Sequence, residues 1–181
     1  MTRGTSSARR YAEAGFEIAL RDDAVAGWQA AFDGAVQALR DERIARVAHS
    51  PTVSPAARRD LIVSAAGRPF PRPFSNLLLV LLQRRRIQLL PQVAAEFQRL
   101  VDRRAGVTRA VVTSAVPLEQ ADLRAVRARL EEMTGNRVEL TTLVDDGLIG
   151  GLRVRIGDRL IDGSVRGRLE RLRATFSTTD I

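Results

Sequence analysis

One change of hydrophobic period, at Gly106, constrains this chain more than any other feature. Before it, apolar residues recur every three or four positions, segment after segment; after it, short β-branched alternations appear. The first part reads as consecutive short helices. Thr5, Ser6 or Ser7 is expected to cap a first helix reaching about Leu20, with Ala8, Tyr11, Ala12, Gly15, Ile18 and Ala19 on a small-residue face. Asp22 or Asp23 would cap a second, in which Val25, Trp28, Phe32, Ala35 and Leu39 form a bundle seam. A third spans about Asp41 to Ala48. Ser54-Pro55 opens a fourth, which ends at Gly67. Arg68 to Pro73 (RPFPRP) predicts an extended connector, and Phe74 to Arg85 a helix apolar nearly all round. Pro91 begins a sixth, with Leu90, Val93, Phe97 and Leu100 on one face. A six-helix antiparallel bundle is expected over residues 1–105.

Residues 106–181 carry the other period. Val107 to Val116 predicts a strand closed by Pro117, and a helix to about Thr134 places Leu123, Val126, Leu130 and Met133 together, with Gly135-Asn136 as its stop. Arg137 to Val144 alternates, with Val138, Leu140 and Val144 on one side. The segment DGLIGGLRVRIGDRLIDGSVRGRL (Asp146 to Leu169) then turns at Gly150-Gly151, alternates through Leu152, Val154 and Ile156, and turns again at Gly157-Asp158. After Leu160-Ile161, Asp162-Gly163-Ser164 breaks the strand and offers a cap to a last helix, on which Val165, Leu169, Leu172 and Phe176 share a face. The whole is an α+β chain with a small C-terminal α/β domain.

Composition excludes most chemistry. There is no cysteine, His49 is the only histidine, and every one of the 29 basic residues is arginine. Thiolate, lysine and triad catalysis are thereby removed. No catalytic residue, cofactor or metal is expected. Asp145, Asp146, Asp158 and Asp162 sit beside glycines or a helix start, where aspartate makes turns, and their spacing is not that of a calcium loop. Gly147, Gly150 and Gly151 precede a strand rather than the helix that a phosphate cradle needs. No apolar run approaches the ~20 residues of a membrane span, and the amino terminus lacks a secretory apolar stretch. The net charge of +8 lies mostly in residues 1–105 and suits an acidic partner.

The order of residues from Asp146 onward resembles the C-terminal signature of the delta subunit of F-type ATP synthases, the oligomycin-sensitivity-conferring protein family. That pattern is an acidic residue, Leu-Ile-Gly-Gly, an alternating strand, Gly-Asp, an apolar pair, Asp-Gly-Ser and a basic helix. Arg10-Tyr11-Ala12-Glu13-Ala14, Asn76 to Pro91 (NLLLVLLQRRRIQLLP) and Ser114-Ala115-Val116-Pro117-Leu118 resemble further family motifs. Gly15 departs from the pattern, which usually carries a larger apolar residue there.

The resemblance implies a stator component that links the catalytic head to the peripheral stalk and resists torque during proton-driven ATP synthesis. It implies that the bundle grips the N-terminal helix of an α subunit in a groove between the first and fifth helices, and that the C-terminal domain holds the C-terminus of the b subunit. On it, Tyr11, Ala14, Ile18, Asn76, Arg85 and Arg86 are candidate contacts. Tyr11, Ala14 and Ile18 read equally as core; Arg84, Arg85 and Arg86 also complement a helix dipole. Gly150, Gly151, Gly157, Asp158, Asp162, Gly163 and Ser164 are expected to be structural turns. The protein would reach the cytoplasmic face of the cell membrane only through partners. A basic nucleic-acid-binding protein is the alternative, prompted by a pI near 11.4 and weakened by 4% aromatic residues and dispersed arginines.

Overall fold

Six α-helices precede the first strand in the computed structural model, which describes residues 2–157 and 159–177, with side chains for 6–157, 159–170, 172 and 173. They are α1 (Thr2–Arg21), α2 (Val25–Ala38), α3 (Glu42–His49), α4 (Pro55–Ala65), α5 (Arg72–Gln83) and α6 (Leu90–Arg104). Then follow β1 (Val107–Ser114), α7 (Gln120–Thr134), β2 (Arg137–Val144), β3 (Leu152–Ile156), β4 (Arg159–Asp162) and α8 (Val165–Ser177). The chain divides into two compact units, Met1–Val101 and Asp102–Ile181. The fold class is thus mixed and helix-rich, α+β.

Helix ends in the first unit follow local chemistry. Asp41 caps α3 by accepting from Arg43 N at 2.8 Å, and Ser54 Oγ caps α4 by accepting from Ala57 N at 3.2 Å, with Pro55 in the first turn. Several expected boundaries differ. Thr5, Ser6 and Ser7 lie inside α1 rather than at its cap, because that helix already begins at Thr2. Asp22 and Asp23 do not cap α2. The residue before that helix is Ala24, without a side-chain cap bond. Asp23 instead adopts φ 47° and ends α1, its N–H donating to Leu20 O at 3.2 Å while Ala24 N donates to Ala19 O at 2.8 Å. Aspartate tolerates this left-handed position better than most residues, so it terminates one helix rather than starting the next. The Arg68–Pro73 connector is shorter than expected. Proline fits the first helical turn, so α5 starts at Arg72 with Pro73 inside it, and it stops at Gln83 rather than Arg85.

Aromatic side chains dominate the core of this unit. Trp28 is fully buried, stacked on Phe97 at 5.8 Å between centroids and edge-on to Phe74 at 5.4 Å. Phe32 meets both phenylalanines, Phe70 meets Phe74, and Phe16 meets Phe97. Offset and edge-to-face pairs of this kind add about 0.5–1.5 kcal/mol each beyond the area they bury. Buried Ile62, Leu78, Leu81, Leu82, Leu90 and Val93 complete the cluster.

In the second unit the sheet order is β2-β1-β3-β4. β1 and β2 are parallel, joined through α7; β3 is antiparallel to β1 and to β4. Gly135, with φ 68°, ends α7. One sheet face buries Ala110, Val112, Val138 and Val154 together with Leu130 of α7. Among the described residues this core holds no aromatic side chain. The opposite face turns Arg109 and Arg155 toward solvent, as strand alternation requires. Asp158, expected in the β3–β4 turn, lies outside the described residues.

Candidate partner-binding surfaces

Three residues of α1 fall on one side of the helix through their spacing: Tyr11, Ala14 and Ile18. Tyr11 and Ile18 are half-buried and packed on the aromatic core, while Ala14 between them is exposed. The helix packs against α2 and α5. On α5, Asn76 and Val80 are exposed one turn apart, and Leu77 packs inward. Small or half-covered apolar positions of this kind allow another helix to approach closely.

Arg85 and Arg86 belong to a different structure. Arg84 closes α5; Arg85 has φ 55°, its N–H donates to Leu82 O at 3.1 Å, and Arg86 N donates to Leu81 O at 2.8 Å. That pair of bonds is a Schellman stop, with arginine where glycine is favoured. Both side chains are exposed. Arg85 lines a cavity of about 380 Å³ with Ala48, His49, Pro51, Arg58, Ile87 and Gln88.

Within that wall Arg58 is 6% exposed. Its Nη1 donates to Ala48 O at 3.1 Å, at the C-terminal end of α3, where positive charge is favoured. Its Nε is buried without a hydrogen-bond partner among the described residues. Leaving such a donor unmet costs about 1–3 kcal/mol. Sequence reasoning missed this residue. Arg58 and buried Ile62 are one helical turn apart, which was the available signal, but an arginine next to Arg59 reads as surface.

In the second unit, the glycines before β3 lie against the start of α8. Gly151 has φ 77°, and a Cβ there would come within 2.7 Å of Gly163 O and 3.0 Å of Ser164 Cα. Gly163 N donates to Leu152 O and Val165 N to Gly150 O, both at 2.9 Å. Gly157 follows β3 with φ 55°. Asp162 Oδ1 accepts from Ser164 Oγ at 2.6 Å and Ser164 N at 2.9 Å, and Ser164 Oγ in turn accepts from Gly167 N at 3.0 Å. The hydroxyl and amide of Ser164, with Arg153 beside them, hold the Asp162 carboxyl below its ordinary range. Asp145 likewise accepts from Gly147 N. Among the described residues no group of three His, Asp or Glu side chains gathers to hold a metal.

Around these turns the surface is apolar. Val165, Leu169 and Leu172 share one face of α8, but the described residues leave that face open: Leu169 is 54% and Leu172 53% exposed. The side chain of Phe176 lies outside the described residues. Leu160, Ile161, Leu143 and Val144 are exposed as well. Ile149, 70% exposed, has φ 64°. A β-branched residue held in left-handed backbone at the surface is strained without any burial to offset it.

No helix among the described residues is long and apolar enough to cross a membrane. The family model described as ATP synthase delta (OSCP) subunit matches residues 8–176. ATP synthase subunit delta of Methylibium petroleiphilum is 39% identical over 172 residues, covering 94% of this chain and 96% of that protein. The Paracidovorax citrulli protein of the same name is 37% identical over 171 residues, covering 93% and 95%. A chain of the Toxoplasma gondii mitochondrial ATP synthase hexamer superposes with a TM-score of 0.66 at 26% identity, over 93% of this chain and 96% of that one. With both units spanned by these similarities, the chain belongs to the ATP synthase delta (OSCP) subunit family, a structural and non-catalytic subunit.

Proposed function

We propose that this protein is the stator component of a rotary F-type ATP synthase, joining the catalytic head to the peripheral stalk and resisting rotational torque during proton-driven ATP synthesis. The observation that carries the reading is a family match running through both units, residues 8–176. In this reading residues 1–105 form a six-helix antiparallel bundle that takes the N-terminal helix of an α subunit along α1 and α5, at Tyr11, Ala14, Ile18 and Asn76. Residues 106–181 hold the C-terminus of the b subunit. The uncovered apolar side chains of α8 and strained, exposed Ile149 support a docking surface in that second part. Function then rests on slow dissociation from hydrophobic contacts rather than on catalytic groups. The complex would keep the protein at the cytoplasmic face of the cell membrane through its partners alone.

The test is co-expression of the tagged chain with α and b subunits, followed by purification in high salt. Stoichiometric recovery of both is expected, because apolar contacts survive screening. Loss of both partners at high salt while each remains folded would overturn the reading.

A further inference from the structure

The cavity beside the Schellman turn brings two arginines together without an acidic side chain among the described residues to match them. Arg58, 6% exposed, offers a buried Nε with no partner among the described residues. Arg85 reaches the same cavity from the turn, where its backbone stands at φ 55°. His49 lies in the same wall with its Nδ1 donating to Ala45 O at 2.7 Å, which leaves Nε2 of the neutral ring an acceptor and the two arginines as the cationic donors. Gln88 contributes an amide. Among the described residues no acid lines the cavity, and its remaining wall is Ala48, Pro51 and Ile87.

The α3 carbonyl accounts for Nη1 of Arg58 and leaves Nε without a partner among the described residues. An arginine fork matches a planar oxyanion, and the second arginine makes the site doubly cationic. Three apolar walls argue against a bare inorganic ion, which would leave them facing water. A space of about 380 Å³ is also larger than one ion fills, and falls in the range of small-ligand clefts.

We propose that this cavity binds a carboxylate carried on a short apolar stem, with Arg58 and Arg85 on the oxyanion and Ala48, Pro51 and Ile87 along the stem. An acidic side chain of a docking peptide and a free aliphatic carboxylic acid share this chemistry. The inference goes beyond the stator reading and does not rest on it.

The experiment is an NMR titration of the full chain, following the arginine Nε–H resonances. The probes are sodium hexanoate, an N-acetyl-glutamate methylamide and inorganic phosphate. A saturable shift of the Arg58 resonance by the carboxylates, with phosphate weaker, is expected. Tighter binding of the glutamate derivative identifies a peptide side chain as the source, and tighter hexanoate a free acid. Arg85→Gly keeps the left-handed backbone that the turn requires while removing one cation, so the fold is retained and affinity should fall about tenfold. Absence of a saturable shift in the folded wild-type chain overturns the proposal without reference to any variant. Phosphate binding as tight as the carboxylates overturns it too, as does undiminished affinity in Arg85→Gly.

Discussion

Gly15 of α1 leaves room for the indole of Trp28 on α2: a Cβ at position 15 would stand 2.7 Å from Cζ3 and 3.3 Å from Cη2 of that ring. The departure from the family pattern at Gly15 therefore has a packing cause. The ring is fully buried and also packs on Phe97 and Phe74, which limits how far it can retreat.

Gly15→Ala should accordingly destabilise the protein. Overpacking costs about 1–3 kcal/mol, more than the ~0.5–1 kcal/mol that alanine gains over glycine inside a helix. Urea denaturation followed by Trp28 fluorescence measures it. A higher midpoint in the variant would show that the indole gives way.

Ala14 is the exposed neighbour of that contact and permits a cleaner test of docking. Ala14→Arg should leave the melting temperature unchanged and weaken binding of a peptide from the N-terminus of the α subunit by about tenfold or more, the scale of a hot-spot loss. Calorimetric titration gives the affinity. Equal affinity for both proteins removes this face of α1 from the groove.

Ile149 couples strain to exposure. Ile149→Gly should stabilise the second unit by roughly 1 kcal/mol, because left-handed backbone suits glycine and no buried contact is lost. The same change should weaken capture of a peptide from the C-terminus of the b subunit. Improved stability with unaltered capture would mean that the strain serves something other than that partner.

Asp162 and Asp41 make the stability acid-sensitive. Hydrogen bonds from the Ser164 side chain and amide lower the first carboxyl, and the Arg43 amide lowers the second. A carboxyl depressed in the folded state stabilises fully above the ordinary carboxylate range, near pH 4, and loses that contribution as pH falls through its folded value. Asp162→Asn should thus melt lower than wild type at neutral pH, with the gap closing under acid. Thermal melts across that range by circular dichroism decide it, and a gap constant with pH would assign the loss to geometry alone.

Much of the fold was legible because its signals are local. The change of period at Gly106, the Ser54-Pro55 cap, the Gly135 stop and the alternation of β2 and β3 each depend on neighbours in sequence. The misplaced boundaries involve residues acting against type. Asp23 and Arg85 occupy left-handed stops where glycine would announce itself, and Pro73 continues a helix that prolines usually precede. Of the candidate surfaces, the exposure of the α8 face was illegible because periodicity marks an apolar stripe without saying what covers it. The burial of Arg58 was hidden for the opposite reason: its environment is made by α3, ten residues earlier, through the Ala48 carbonyl.

The two cores differ in kind. One interlocks the rings of Phe16, Trp28, Phe32, Phe70, Phe74 and Phe97; the other, among the described residues, closes over Ala110, Val112, Leu130, Val138 and Val154 with further aliphatic side chains at its edge. When such a molecule is pulled from both ends, equal force passes through unequal material, and the part with the thinner interior deforms first. Compliance in the linkage is thus set by a handful of small aliphatic side chains, and enlarging one of them would change its spring constant.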